Sequence, residues 1–168
     1  MKLKQIDKKR YRSHLRMVFI GMALALMVIS LPSSTLLIHL FSTPEVSHFY
    51  YNIAGVAFAA VIVFVVLNKF RQHSFMLEVV YVWDLKQQFN RITRKLRKIE
   101  AAVESNNNDA MIIMNFMYRG SKQLYVLDDN TITMDSLNRK ISVLDQRMGK
   151  LGLCLSTNAY DPAMLNQF

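Results

Sequence analysis

Hydrophobic positions along this chain fall into two regimes. From Met17 to Leu67 apolar residues run almost without interruption, and the only ionised side chain is Glu45. From Lys69 onward apolar residues recur every three or four positions among Lys, Arg, Gln and Glu. A water-soluble core helix does not need so long an uncharged stretch. A bilayer does, because an ionised group at mid-membrane is costly to bury.

The first regime predicts two transmembrane helices. Residues 17–42 form the first span, about 26 uncharged residues where roughly 20 suffice to cross. Its basic flank and apolar run MVFIGMALALMVISL resemble a secretory signal, but the run continues to Phe41 and lacks an early small-x-small cleavage site, which predicts an uncleaved anchor. Pro32, set among Ser30, Ser33, Ser34 and Thr35, predicts a kink or an early helix end. The hydroxyls are expected to serve freed carbonyls or a neighbouring helix. Residues 43–47, with Pro44 and Glu45, read as a short outer turn. Residues 48–68 form the second span, with Phe49, Tyr50 and Tyr51 as an interfacial aromatic belt. Seven basic residues precede the first span, none lies in the turn, and eight follow from Lys69 to Lys98. The positive-inside rule then puts both termini in the cytoplasm. Gly21/Ala25 and Gly55/Ala59 are small-xxx-small pairs that let helix backbones approach closely. An antiparallel register sets Gly55 level with Ser33 or Ser34, and Gly21 level with Val65.

The second regime, residues 69–152, predicts three helices of a cytoplasmic coiled-coil domain. Leu85, Phe89, Ile92, Leu96, Ile99 and Val103 form a four-three seam on one helix running to Glu104. With no Pro or Gly between Gly55 and Gly120, the second span is expected to continue into it with little break. Tyr81 and Trp83 suit a membrane-proximal patch or core packing. Ser105–Asp109 is a polar turn, with Asp109 as N-cap of a helix over 110–127 carrying Met111, Met114 and Met117. Those methionines offer either core packing or a soft docking face. Asp128–Asn130 is the next turn, with Thr131 or Thr133 capping a third helix whose seam is Leu137, Ile141, Leu144, Met148 and Leu151. Gly149 and Gly152 mark its end, and residues 153–168 read as an irregular tail. The fold class is all-α: a transmembrane hairpin plus an antiparallel helical bundle or coiled coil. Whether the seams pair within or between chains is left open by their spacing.

Charge adds partners to this picture. The net charge of +9 is concentrated in residues 1–16 and in Arg91, Arg94, Lys95, Arg97 and Lys98. Lys8, Lys9, Arg10, Arg12 and Arg16 are placed to meet anionic lipid headgroups. The same charges suit nucleic acid, but no reading module accompanies them, so nucleic acid is not expected. Cys154 is alone, which excludes an intrachain disulfide and suits a reducing compartment. His14, His39, His48 and His73 are scattered and lack the spacing of a metal site. No phosphate loop, nucleophile elbow or CxxC is present. No cofactor, metal or catalytic residue is assigned.

The opening MKLKQIDKKRYRSHL, followed by a two-span hairpin and a helical part of about 100 residues, resembles an uncharacterised gammaproteobacterial family of small inner-membrane proteins with a domain of unknown function. The resemblance covers the whole chain. It implies a bacterial inner-membrane location and carries no activity or site residues.

The expected function is a non-enzymatic scaffold or accessory subunit, acting as a homo-oligomer or within a larger membrane complex. Leu85, Phe89, Ile92, Leu96, Ile99 and Met117 are the expected interface. Two alternatives remain: an oligomeric channel or transport component using Ser30–Thr35, and a cytoplasmic-face sensor or nucleic-acid tether using Arg91–Lys98.

Overall fold

The computed structural model describes residues 1–43, 47–130, 132–153 and 156–168. Pro44, Glu45, Thr131 and Cys154, to which the sequence reading assigned turn, cap and packing roles, lie outside the described residues. Six α-helices and three short 3-10 turns make up the described fold, and no strand occurs among the described residues. The helices are α1 (Lys8–Phe41), α2 (Phe49–Phe70), α3 (Leu77–Arg94), α4 (Leu96–Glu104), α5 (Asn108–Leu127) and α6 (Met134–Lys150). They divide into a hairpin unit, residues 9–80, and a helical unit made of residues 1–8 and 81–168.

In the hairpin unit, α1 and α2 are both long and apolar enough to cross a membrane. The 34 residues of α1 would span about 51 Å at 1.5 Å rise per residue. Two expectations about this unit need correction. Pro32, expected to bring either a kink or an early helix end, lies inside α1, so the early end does not occur. Around it, Ser33 Oγ donates to the Ile29 carbonyl (2.7 Å) and Thr35 Oγ1 to the Leu31 carbonyl (2.9 Å), which supplies hydrogen bonds to carbonyls of the turn that proline disturbs.

The second correction concerns continuity. Helix α2 stops at Phe70, and a 3-10 turn over Ser74–Met76 precedes α3. The break is made by His73, which is extended (φ −68°, ψ 143°) and whose Nδ1 accepts from the Phe75 amide at 3.2 Å. The imidazole thus caps a turn without proline or glycine, and the apolar-to-amphipathic transition hid it.

In the helical unit, α5 is the central element and α4 and α6 pack on it. The long helix expected to Glu104 is divided at Lys95 (φ −113°, ψ 7°) into α3 and α4. Lys95 Nζ donates to the Leu165 carbonyl (2.7 Å) of the C-terminal segment. The N-cap of α5 is Asn107, whose side chain accepts from the Ala110 amide at 2.9 Å, and Asp109 instead accepts from Gln167 Nε2 at 2.8 Å. The two polar turns each hold a residue in the left-handed region, Asn106 (φ 58°) and Asp129 (φ 57°). Asn and Asp tolerate that conformation better than other residues with a Cβ. Gly152 (φ 64°) follows α6.

Within the segment read as an irregular tail, residues 156–168 pack onto α5. Tyr160 and Leu165 are buried, and the Tyr160 ring stacks on Phe116 at 4.0 Å and 15°. Gln88 Nε2 donates to the Tyr160 hydroxyl at 2.5 Å. The basic opening is also docked. The Lys4 amide donates to the Tyr81 hydroxyl (2.9 Å), that hydroxyl donates to Gln123 Oε1 (3.0 Å), and Gln123 Nε2 donates back to the Lys4 carbonyl (2.5 Å).

Candidate functional site

Within the hairpin unit the two small-residue pairs behave differently. A Cβ added to Gly55 would lie 2.8 Å from the Ser34 nitrogen and 2.9 Å from its Cα, so the backbones meet closely there. Ser34 and Ala59 are buried at this crossing, and Ser34 Oγ reaches the Asn52 carbonyl at 3.5 Å. Gly55/Ala59 therefore serves the hairpin itself. A Cβ on Gly21 would meet nothing within 4 Å. Gly21 and Ala25 line an apolar cavity of about 440 Å³, with Val63 and Val66 opposite and Phe75 and Met76 also in its lining. The hydroxyls of Ser30, Ser33, Ser34 and Thr35 each donate to a backbone carbonyl, at 3.5, 2.7, 3.5 and 2.9 Å.

The basic residues assigned to lipid contact are not equivalent. Lys8 is ion-paired with Asp129. Arg10 Nε lies 2.9 Å from Glu78 Oε1, and His14 Nδ1 faces the other oxygen of that carboxylate at 3.4 Å. The His14 ring stacks on Phe75 at 4.1 Å. Lys8 and Arg10 thus hold carboxylates of the chain, and Lys9 and Arg16 are exposed.

The expected partner seam faces inward in this unit. Leu85, Ile92 and Ile99 are each 0% exposed in the single chain, and Phe89, Leu96 and Met117 are partly covered. The Phe89 ring packs edge-on to Phe116 at 6.1 Å and fills the space beside Gly120, where a Cβ would come within 2.5 Å of its Cζ. The seam is the core of this unit. Its four-three spacing is equally that of a helix burying one face within its own chain.

The outward side of the same helices carries a better candidate. Between α4 and α6, with α5 in its lining, lies a groove of about 470 Å³. Val103, Met114 and Leu144 give it an apolar interior, and Val143 stands exposed on the α6 side. Arg147 holds α6 to the end of α4: Nη1 donates to the Val103 carbonyl (2.7 Å) and Nη2 to Glu104 Oε2 (2.9 Å). Behind it, Arg119 donates through Nη2 to both carboxylate oxygens of Asp145 (2.9 Å each) and through Nε to Asn115 Oδ1 (2.8 Å), fixing α5 to α6. Tyr118, Glu100, Arg139 and Lys140 also line the groove. Burial raises the Tyr118 pKa above its ordinary 10.0, and the nearby Glu100 charge raises it further, so the phenol is neutral at physiological pH.

Sequence reasoning passed over this groove because its polar residues lie off the apolar seam and far apart in the chain. It also missed Tyr160, although Asp161-Pro162 carries a helix-start signature: Asp161 Oδ1 accepts from the Ala163 amide at 2.7 Å. The cluster Arg91–Lys98, considered for nucleic acid, is partly structural, since Lys95 and Lys98 bind carbonyls of Leu165 and Phe168. Among the described residues no three His, Cys, Asp or Glu side chains gather as a metal site.

No curated protein and no solved structure matches the chain. A family model does match, over residues 1–165, and it covers the whole hairpin unit together with nearly all of the helical unit. The chain belongs to the family described as Protein of unknown function (DUF3087).

Proposed function

We propose that this chain is an integral protein of the bacterial inner membrane, with α1 and α2 spanning the bilayer and both termini cytoplasmic, and that its helical unit acts as a non-enzymatic scaffold or accessory subunit. One observation supports the membrane reading above all: the outer surfaces of α1 and α2 carry exposed large apolar side chains along their length. Phe19, Leu24, Val28 and Leu31 on α1, and Val61 and Phe64 on α2, are each more than half exposed. A water-soluble monomer seldom shows contiguous apolar surface beyond a few hundred Å². Lipid covers such a surface at no cost, and the helices satisfy their own backbone hydrogen bonds. The absence of basic residues between the helices, and their abundance before and in the first turns of α1 and after α2, support the orientation.

The scaffold reading rests on a helical unit whose core closes within one chain. Contacts with a second copy or a larger membrane complex then fall to outward surfaces such as the exposed Trp83, Val126 and Val143, and to lipid-facing α1 and α2. Anionic headgroups have Lys9 and Arg16 within reach.

Two measurements test this. In a Cys154→Ser background, Ser47→Cys should react with an impermeant maleimide in intact spheroplasts, and Lys150→Cys only after lysis; the reverse pattern overturns the orientation. Release of the chain from membranes by alkaline carbonate overturns the integral reading. For the scaffold, crosslinking followed by native mass spectrometry in mild detergent should show a stable complex, and a partnerless monomer would remove that reading.

A further inference from the structure

We propose that the groove between α4 and α6 is a binding site for a small amphipathic anion, an apolar or aromatic body bearing one carboxylate. The proposal rests on the helical unit alone and stands whether or not the hairpin lies in a membrane.

Size comes first. About 470 Å³ falls within the range of small-molecule pockets, which are mostly apolar with a few convergent polar groups. Val103, Met114 and Leu144 provide the apolar part, and methionine adapts to the shape of what it meets.

Charge then selects the head. Glu104 and Arg147 already satisfy one another, and Arg147 also holds the Val103 carbonyl. This bridge sits where α4 ends. Arg139 and Lys140 are about two helical turns earlier on α6, and Glu100 is about one turn earlier on α4. Among the described residues, neither Arg139 nor Lys140 has a hydrogen-bond or ion-pair partner. The Tyr118 hydroxyl, half-buried, has no hydrogen-bond partner there either. Two unpaired cations and a neutral donor outweigh the single carboxylate of Glu100, and a guanidinium matches a carboxylate in geometry. An anionic head at Arg139 and Lys140, with its body directed toward Met114, uses every unpaired donor in the groove. A cationic head would face two positive charges and gain one.

The test uses the full chain in nanodiscs with isotope-labelled methionine methyl groups, the Met114 resonance being assigned with Met114→Leu. The probes are phenylbutyrate, phenylbutyramide and phenylbutylamine, each also titrated into empty nanodiscs to subtract lipid uptake. Phenylbutyrate should shift the Met114 methyl saturably, with the amide and the amine at least about tenfold weaker, as expected when a charge-assisted pair is lost. The double substitution Arg139→Gln/Lys140→Gln should weaken phenylbutyrate about tenfold and leave the other methionine resonances in place, since both side chains are solvent-exposed. Tyr118→Phe should weaken it by a smaller factor. Absence of a saturable shift, equal affinity for the three probes, or unchanged affinity in the double variant each overturns the proposal.

Discussion

Gly55 and Gly120 both sit where another side chain would collide, but the colliding atoms differ. At Gly55 an added methyl meets the Ser34 backbone, which yields only if the two helices separate; at Gly120 it meets the rim of the Phe89 ring, which can swing aside. Gly55→Ala should therefore destabilise the hairpin by about 1–3 kcal/mol, with Gly120→Ala near the lower end of that range. Reversible unfolding in mixed micelles measures the first, and denaturant melts followed by far-ultraviolet circular dichroism measure the second. At Tyr81 the consequence is more local. Tyr81→Phe removes the hydroxyl shared by the Lys4 amide and Gln123, at a cost of about 1 kcal/mol. Limited proteolysis should then cut before Lys8 faster than in the unaltered chain.

Among the elements, the two long helices were legible from hydropathy, because both are long and apolar enough to cross a membrane and carry almost no charge to interrupt the run. Observed α1 and α2 end within about two residues of the predicted boundaries at their shared turn, as expected for boundaries read from sequence. What stayed hidden was decided by side chains acting across the chain. His73 caps its own turn, Lys95 answers a carbonyl 70 residues away, and Asn107 rather than Asp109 takes the cap of α5. Asn107→Ala should cost about 1 kcal/mol, the usual loss for an N-cap side chain, and Asp109→Ala clearly less. Thermal melts of the two variants decide this directly. The candidate groove was illegible for a similar reason: its cations and tyrosine come from different helices and follow no common period. The seam was legible as a seam, and its spacing could not say that Leu85, Ile92 and Ile99 are covered within a single chain.

Across the whole molecule, three tyrosines tie stability to alkaline pH. Burial raises the pKa of Tyr81, Tyr118 and Tyr160 above 10.0; hydrogen bonds at Tyr81 and Tyr160 pull the other way without cancelling it. The folded chain thus holds the neutral phenols more firmly than the unfolded chain. Their contribution is fully present below pH 10.0 and is lost as pH rises through the folded-state values. Denaturation midpoints should hold level through neutral pH and fall in the alkaline range. Tyr160→Phe should blunt that fall, and an unchanged alkaline profile in all three Tyr→Phe variants would refute the linkage.

The ring of hydrogen bonds joining Lys4, Tyr81 and Gln123 sets an order of events during synthesis. Residues 1–8 emerge before the hairpin, yet their partner Gln123 is 119 positions from Lys4, and the core above Phe116 closes only when Tyr160 arrives. Chains fold largely as they are made, from the N-terminus onward. The apolar hairpin is therefore complete and exposed while the helical unit still lacks both its first strap and its last aromatic. Whatever covers that apolar surface can therefore reach the hairpin before a competing core exists to hide it. The opening residues close onto the helical unit afterwards, so an extension added before Met1 would burden the finished fold of that unit more than it would the hairpin.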